Sequence, residues 1–313
     1  MAIKITQDKI ASVTVISYSQ DSGSVSGYTS GGYSPYSNTI DKYSFASDGN
    51  ATDVGNLTYQ RKGASGQSSD VSGYTSGGMD PGNTSRIIDK FSFASDGNAT
   101  SVGNVGASSP YGATYSAGQS SPVSGYVSGI ETMFAAATTN IDKFPFAADV
   151  NSATVGDLTQ ARSYVSGASS ITHGYTAAGW AVPNLSSNVI DKFPFASDGT
   201  ATDVGNIGVA HRAGTGHNSP EYGYDSGGRK PPNNANDDIY KYAFASDANA
   251  TLVGDLTEAR LPSAAGTSSL DYGYVAGETT GGDIQKFPFA SDANAASVGD
   301  LFEPRYDGAG QQV

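Results

Sequence analysis

The sequence predicts an all-β protein that folds as a single six-bladed propeller of four-stranded blades. Three short motifs recur six times each in a fixed order, roughly 50 residues apart, a period typical of propeller repeats. The 313 residues include 40 Gly and 19 Tyr but only 3 Met and 1 Trp. This composition indicates short strands joined by many turns, because Gly, Ser and Asp favour turns and Tyr favours strands.

The three motifs mark equivalent points of each repeat. The first is Gly-Tyr followed by small residues, the second is Ile followed in four copies by Asp-Lys and an aromatic residue, and the third is Val-Gly-Asn or Val-Gly-Asp. The Gly-Tyr copies start at Gly27, Gly73, Gly125, Gly174, Gly223 and Gly273. The second motif starts at Ile40, Ile88, Ile141, Ile190, Ile239 and Ile284, and the third at Val54, Val102, Val155, Val204, Val253 and Val298.

Each repeat predicts four short strands. A Gly/Ala/Ser stretch such as 63–69 is strand one, and its small residues suit the crowded centre of a propeller. The Gly-Tyr motif is strand two, the Ile motif is strand three, and the Val-Gly motif is strand four, with Asp-Gly turns between strands three and four. Phe193 and Phe195 share one face of strand three by the two-residue period and are expected to fill the space between blades.

One feature opposes this strand assignment. Pro145, Pro194 and Pro288 fall inside strand three, which should have a neighbour on each side. Proline cannot donate a ladder hydrogen bond. We therefore expect a lapse in pairing or a bulge at these positions.

The repeat resembles the kelch repeat. The resemblance rests on Gly77-Gly78 ending a strand, Phe91 and Phe93 on the next, Val102-Gly103, and an Arg that starts a strand, as at Arg61. It covers about residue 20 to the end and implies the propeller fold. The Trp of strand four in kelch repeats is replaced by Val-Gly. The sequence pattern FxFASDxNATxVGDL is also similar to kelch-like repeats in proteins encoded by marine phages.

The C-terminus is predicted to close the ring. Arg305–Val313 matches the start of the repeat at Arg61 and would pair beside Gly27-Tyr28, making 20–313 the propeller and 1–19 an N-terminal strand or attachment segment. The alternative closing strand is 11–20, ASVTVISYSQ, which is strand-like but does not match the repeat. No secretory signal and no transmembrane run is expected.

The composition argues against several classes of function. The formal charge of -13 makes nucleic-acid binding by phosphate neutralisation and membrane insertion unexpected, and the absence of Cys excludes thiolate chemistry. No cofactor and no metal site is predicted. The Asp-Gly-Asn turns offer too few oxygens for calcium, and His211 and His217 lack an evident third ligand. The three Asn-Ala-Thr sequons, at Asn50, Asn98 and Asn249, are attributed to the repeat.

Five Arg residues recur near the start of strand one. They are Arg61, Arg162, Arg212, Arg260 and Arg305. A basic ring at the channel mouth could hold an anionic ligand. Their recurrence at a repeat position favours the other interpretation, in which each Arg binds backbone carbonyls or an Asp of its own or the next blade.

The repeats differ most in the loops between strands two and three, which are expected on one face of the propeller. A constant scaffold with variable loops on one face is typical of a binding surface, although drift in unconstrained loops would produce the same pattern. The candidate binding residues on these loops are Tyr33, Tyr36, Met79, Phe134, Trp180, Arg229 and Lys230.

These features favour a non-enzymatic structural or binding module. The expected protein is a phage virion component (tail, fibre or capsid surface) that contacts other virion proteins and binds a host glycan or protein. It could form a homo-oligomer through residues 1–19. A bacterial surface adhesin and a glycan-active propeller enzyme are the alternatives.

Overall fold

The computed structural model describes residues 25–106, 112–132, 136–181, 185–260, 263–278 and 281–313. These residues form six antiparallel sheets arranged as a six-bladed β-propeller, as predicted. The described part of the chain contains no helix. It therefore offers no helix that could cross a membrane.

Each sheet takes four successive strands of the repeat. Blade one uses β1 (Ser26–Gly32), β2 (Ser37–Ser44) and β3 (Thr52–Asn56). Blade two is β4 (Ser65–Ser68), β5 (Ser72–Ser76), β6 (Ile87–Ser92) and β7 (Thr100–Asn104). Blade three is β8 (Ala117–Ser120), β9 (Ser124–Ser128), β10 (Asn140–Pro145) and β11 (Ala153–Asp157).

The second half repeats this order with short additions. Blade four is β12 (Arg162–Ser163), β13 (Ser166–Ser169), β14 (His173–Ala177), β15 (Trp180–Ala181), β16 (Leu185–Pro194) and β17 (Thr202–His211). Blade five is β18 (Thr215–Asn218), β19 (Tyr222–Ser226), β20 (Arg229–Lys230), β21 (Asn234–Ala243) and β22 (Thr251–Arg260). Blade six is β23 (Ala265–Ser268), β24 (Tyr272–Ala276), β25 (Asp283–Pro288) and β26 (Ala296–Asp300), and the last strand is β27 (Ala309–Gln312).

The C-terminal strand lies in the first blade. β27 pairs antiparallel with β1, with Gly27 opposite Gln312 and Ser30 opposite Ala309. The sheet order β27-β1-β2-β3 gives blade one the same four strands as the other blades. The alternative closing segment 11–20 and the attachment segment 1–19 lie outside the described residues.

The six innermost strands surround the channel at glycine contacts. The central glycine of each strand faces the backbone of its neighbour, and a Cβ at Gly118, for example, would collide with the carbonyl oxygen of Gly66. The equivalent glycines are Gly66, Gly118, Gly167, Gly216, Gly266 and Gly310. Strand one is therefore restricted to glycine at this point because the blades converge.

Aromatic side chains fill the space between blades, as predicted. Tyr126 of blade three packs on Phe193 and Phe195 of blade four, with ring centroids 5.7 and 4.7 Å apart. Phe193 and Tyr126 are almost fully buried. Burial of a side chain of this size contributes about 1.5–3 kcal/mol to stability.

The Val-Gly motif meets the outer turn of the next blade. A Cβ at Gly103 would collide with the carbonyl oxygen of Val150, and one at Gly55 with that of Gly97. The outer turn also returns a bond, because Asn98 Oδ1 accepts from the backbone N–H of Asn56 at 3.0 Å. This close approach explains why a large side chain is absent here. It also gives the asparagine of the Asn-Ala-Thr copies a structural role.

The prolines of strand three lie beyond its pairing with strand four. In blade three, that pairing ends at Lys143 opposite Ala153, whereas Pro145 pairs only with Ser124 of strand two. A register shift also occurs between Ile141 and Asp142. The expected lapse in pairing is thus present, and Pro145 removes no bond to strand four.

Candidate functional site

The channel opens on the face that carries the loops between strands two and three. The inner strands and the residues just before them enclose a cavity of about 130 Å³. Tyr115, Tyr164 and Asp307 line it at this end. We call the residues around this opening the rim.

A backbone pair recurs at the channel mouth in five blades. In each pair the residue before strand one lies opposite the first residue of the loop after strand two. The pairs are Tyr306 with Tyr33, Lys62 with Met79, Thr114 with Glu131, Ser163 with Trp180, and Arg212 with Arg229. Directly opposed residues present their side chains on the same face. The backbone is therefore constant while the side chains are aromatic, cationic, acidic or small.

The next residue in each of these five blades completes the rim and has left-handed backbone. Tyr115, Tyr164, Ala213 and Asp307 have φ values of 50°, 52°, 59° and 55°, and Gly63 has 62°. A chain of backbone bonds joins neighbouring blades here, for instance from Tyr164 N–H to the Tyr115 carbonyl at 2.7 Å. Non-glycine residues in this conformation cost free energy, and such strain often accompanies function. Two tyrosines and an aspartate occupy a position that glycine suits better.

Blades three to five carry an aromatic sector of the rim. The rings of Tyr115 and Tyr164 stack with centroids 4.0 Å apart and planes at 15°. Trp180 follows at 6.1 Å from Tyr164, and the Arg212 guanidinium carbon lies 4.2 Å from the Trp180 ring centroid. Burial, with a further contribution from the Glu131 carboxylate, raises the pKa of Tyr164 to about 12. Burial also raises the pKa of Tyr115 above its ordinary value, so both phenols are neutral at physiological pH.

Blades one and two carry a sector of mixed charge. Lys62 Nζ lies 4.1 Å from the ring centroid of Tyr33 and 4.0 Å from Asp307 Oδ2. Tyr33 also contacts Tyr36 and Tyr306, with centroids 4.9 and 5.4 Å apart. Burial raises the pKa of Asp307 to about 6, although Lys62 and Arg229 act to lower it.

Four of the predicted binding residues lie on the rim. They are Tyr33, Met79, Trp180 and Arg229. Tyr36 packs on Tyr33, whereas Lys230 forms an ion pair with Asp238 at 2.7 Å. Phe134 lies outside the described residues. Sequence reasoning did not single out the residues that follow the Arg position, including Tyr115, Tyr164 and Asp307. Their variation between otherwise similar repeats is the signal that could have identified them.

Three of the five predicted arginines are buried within their own blades. Arg61 pairs with Asp89, Arg162 with Asp191, and Arg305 with Asp41, each at 3.0 Å. Each also donates to a backbone carbonyl of strand two, that of Thr75, Thr176 or Thr29. These guanidinium groups join strands and leave no charge at the surface. The side chain of Arg260 lies outside the described residues.

Arg212 does not occupy the repeat position that the sequence assigned to it. The register places His211 there, while Arg212 occupies the rim position equivalent to Lys62. His211 Nε2 lies 2.5 Å from Asp225 Oδ1, and Ser166 Oγ also donates to Asp225. Burial acts to lower the pKa of His211, but the Asp225 carboxylate raises it above its ordinary value. Blade five thus replaces the Arg–Asp pair with a His–Asp pair.

The described histidines make separate contacts, and three aspartates form a cluster that includes none of them. His217 contacts the Thr267 carbonyl and Ser226 Oγ, and His173 contacts Thr172 Oγ1, so neither joins the His211–Asp225 pair. Asp237, Asp238 and Asp255 bring carboxylate oxygens within 4.8 Å of one another. Asp238 is already paired with Lys230 and accepts from Tyr240 Oη at 2.6 Å.

No protein-family model matches this chain, and no curated protein matches it. The candidate site therefore rests on the residues and geometry of the rim.

Proposed function

We propose that this protein is a non-enzymatic structural or binding module that uses the rim to bind a host glycan or protein. The supporting observation is the contrast between the rim and the rest of the blade. Outer contacts such as Lys143–Asp198 recur between blades, whereas the paired rim positions differ in chemistry among the five blades in which they are described. Repeated positions serve a repeated scaffold, and positions that vary on one face serve recognition.

The biological setting that we propose is a phage virion, as part of a tail, fibre or capsid surface. This part of the proposal rests on the resemblance of the repeat to kelch-like proteins of marine phages. Other virion proteins are the proposed structural partners. Residues 1–19 are the proposed attachment segment, through which copies of the chain could also associate.

Binding to intact host cells tests the rim directly. The full chain would be labelled and its adsorption compared with that of Trp180→Ala and Tyr33→Ala, which alter two sectors of the rim. Val123→Ser is the control, because Val123 is 69% exposed in the loop between strands one and two. We expect both rim variants to adsorb at least tenfold less and the control to adsorb normally. Undiminished adsorption of both rim variants would refute rim binding.

Immunogold electron microscopy tests the setting. Antibody against the chain should label isolated phage particles. Labelling of the bacterial surface in uninfected cells would instead support an adhesin.

One observation favours a glycan-active enzyme as the second candidate. The rim holds two carboxylic acids, Asp307 and Glu131, whose pKa values are raised mainly by burial, and Asp307 also lies close to Lys62. Paired carboxyl groups in different protonation states are what glycoside hydrolysis requires. Turnover of any member of a glycan panel that disappears in Asp307→Asn would establish this activity and overturn the non-enzymatic assignment.

A further inference from the structure

The rim of blade five carries two arginines side by side. Arg212 and Arg229 exchange both backbone hydrogen bonds, at 3.1 and 2.8 Å, so their side chains leave the sheet on the same side. Both guanidinium groups reach the same neutral acceptor, Asn233 Oδ1, at 3.0 Å from Arg212 and 3.4 Å from Arg229. The two positive charges are therefore held at one point of the rim.

Like charges placed directly opposite in a sheet are destabilising. The charge of Arg229 contributes, after burial, to a lowered pKa of Arg212. Within the described part of the chain, no carboxylate lies within ion-pair distance of Arg212, although the sequence has 30 acidic residues. An acidic protein that keeps this arrangement has a local surface that suits an external anion.

An aromatic surface adjoins the arginine pair. Arg212 covers part of Trp180, and Trp180 continues into the stacked pair of Tyr164 and Tyr115. Aromatic rings pack against the apolar faces of sugars, while a guanidinium group pairs with carboxylate or sulfate through two parallel hydrogen bonds. The aromatic rings and the two arginines therefore place both kinds of contact side by side.

We propose that Arg212, Arg229 and Trp180 form a subsite for a negatively charged sugar residue. This inference deepens the proposed function and rests on glycan binding at the rim. The anion is either the carboxylate of an acidic sugar or a sulfate ester, since both present a pair of acceptor oxygens to the fork of an arginine. The sugar ring lies towards Trp180 and the anion lies between the two guanidinium groups.

The nearby acids set limits on this subsite. Asp307 is close to Lys62 and also interacts electrostatically with Arg229, Glu131 accepts from Ser163 Oγ at 2.8 Å, and Asp238 is paired with Lys230. None of these carboxylates is an ion-pair partner of Arg212. Binding should therefore depend on attraction at the arginine pair and weaken as salt screens it.

Calorimetric titration with defined oligosaccharides tests the proposal. The probes are an oligogalacturonate, its methyl ester, a sulfated heparin fragment, and its desulfated form. We expect binding of the oligogalacturonate or the heparin fragment, and loss of at least tenfold in affinity for the neutral counterpart. Which acidic probe binds identifies the source of the anion.

Variants then locate the anion. Arg212→Gln and Arg229→Gln should each weaken the acidic probe about tenfold or more. Lys143→Gln removes one positive charge from the outer ion pair with Asp198 and serves as the matched control. Equal weakening by Lys143→Gln would indicate a general charge effect and overturn the subsite. Thermal melting of each variant checks that the fold is retained.

Two outcomes separate this inference from the broader proposal. If neutral and acidic probes bind equally and Arg212→Gln has no effect, the anion subsite is wrong while glycan binding stands. If no probe binds but host adsorption still needs Trp180, the anion subsite is likewise wrong and the rim binds another partner. Adsorption that is unchanged in all rim variants would refute both proposals.

Discussion

Lys286 of blade six forms an ion pair with Asp48 of blade one at 2.5 Å, joining residues 238 positions apart in the chain. The same bond links every neighbouring pair of blades. The other five are Lys42–Asp96, Lys90–Asp149, Lys143–Asp198, Lys192–Asp247 and Lys241–Asp292. Blade six therefore meets blade one through the same contact as any other two blades.

These six ion pairs should fix the relative position of neighbouring blades but add little to the free energy of unfolding. The Asp48 side chain is 55% exposed, so solvent screens the pair. Exposed pairs contribute about 0.2–1 kcal/mol. A double-mutant cycle with Lys286→Ala and Asp48→Ala, measured by urea denaturation, should give a coupling energy in this range. A coupling above about 2 kcal/mol would contradict this estimate.

Closure of the ring by β27 should contribute far more to stability than the exposed ion pairs do. Deleting 305–313 removes both the inner strand of blade one and the buried Arg305–Asp41 pair, so we expect loss of the cooperative melting transition. Deleting 1–19 is the matched control, because that segment contains most of the alternative closing strand. Normal melting of the C-terminal deletion, with collapse of the N-terminal one, would reverse the assignment. Circular dichroism on heating measures both.

Removing one partner of a buried Arg–Asp pair should strongly lower the free energy of unfolding. Arg162 and Asp191 have no exposed side-chain surface, so Arg162→Met leaves a buried carboxylate without its cation. Breaking such a pair costs about 3–5 kcal/mol. Arg162→Met combined with Asp191→Asn should lose less than the sum of the single variants. Additive losses in urea denaturation would show that the two charges do not interact.

The fold was largely predictable from sequence because the same residues recur at equivalent positions of the six repeats. Glycine at Gly103 and phenylalanine at Phe193 recur where blades touch, so their spacing gave the strands and the number of blades. The prolines were also interpretable, because only a gap in pairing tolerates them. The reason for glycine in the Val-Gly motif could not be predicted, because it lies in the contact of Gly103 with the outer turn of the next blade.

The candidate site was only half predictable. Loop residues such as Trp180 stood out as unique, but their partners before strand one were hidden beside a strong Arg motif. In blade five, the acid moves from strand three to Asp225 on strand two while His211 replaces Arg. No spacing rule shows this exchange, because it depends on two strands being adjacent in space.

Asp307 should reduce stability at neutral pH. Its pKa of about 6 in the folded protein lies above the ordinary value of about 3.9 for an unfolded chain, mainly because of burial. A raised carboxyl pKa gives stability that is complete below the unfolded value and is lost as pH rises through the folded value. Asp307→Asn should therefore be more stable than the parent by about 3 kcal/mol at pH 7.5 and nearly equal to it near pH 3.5.

Asparagine is the suitable replacement because it tolerates the left-handed backbone at this position. Urea denaturation at the two pH values measures the difference. A destabilised Asp307→Asn at pH 7.5 would mean that the Lys62 contact outweighs burial.

His217 should produce the opposite dependence on pH. Burial lowers its pKa to about 4, although the contact with the Thr267 carbonyl acts in the opposite direction. A histidine with a lowered folded pKa contributes stability above its unfolded value of about 6.5, and this is lost as pH falls towards 4. The shift corresponds to about 3 kcal/mol.

The equivalent position in blades two and three is Gln67 and Gln119, so His217→Gln introduces the side chain that other blades use. We expect this variant to match the parent at pH 7.5 and to exceed its stability at pH 4.5, since glutamine takes up no proton. Parallel loss of stability in both proteins over this range would assign the acid sensitivity to other groups.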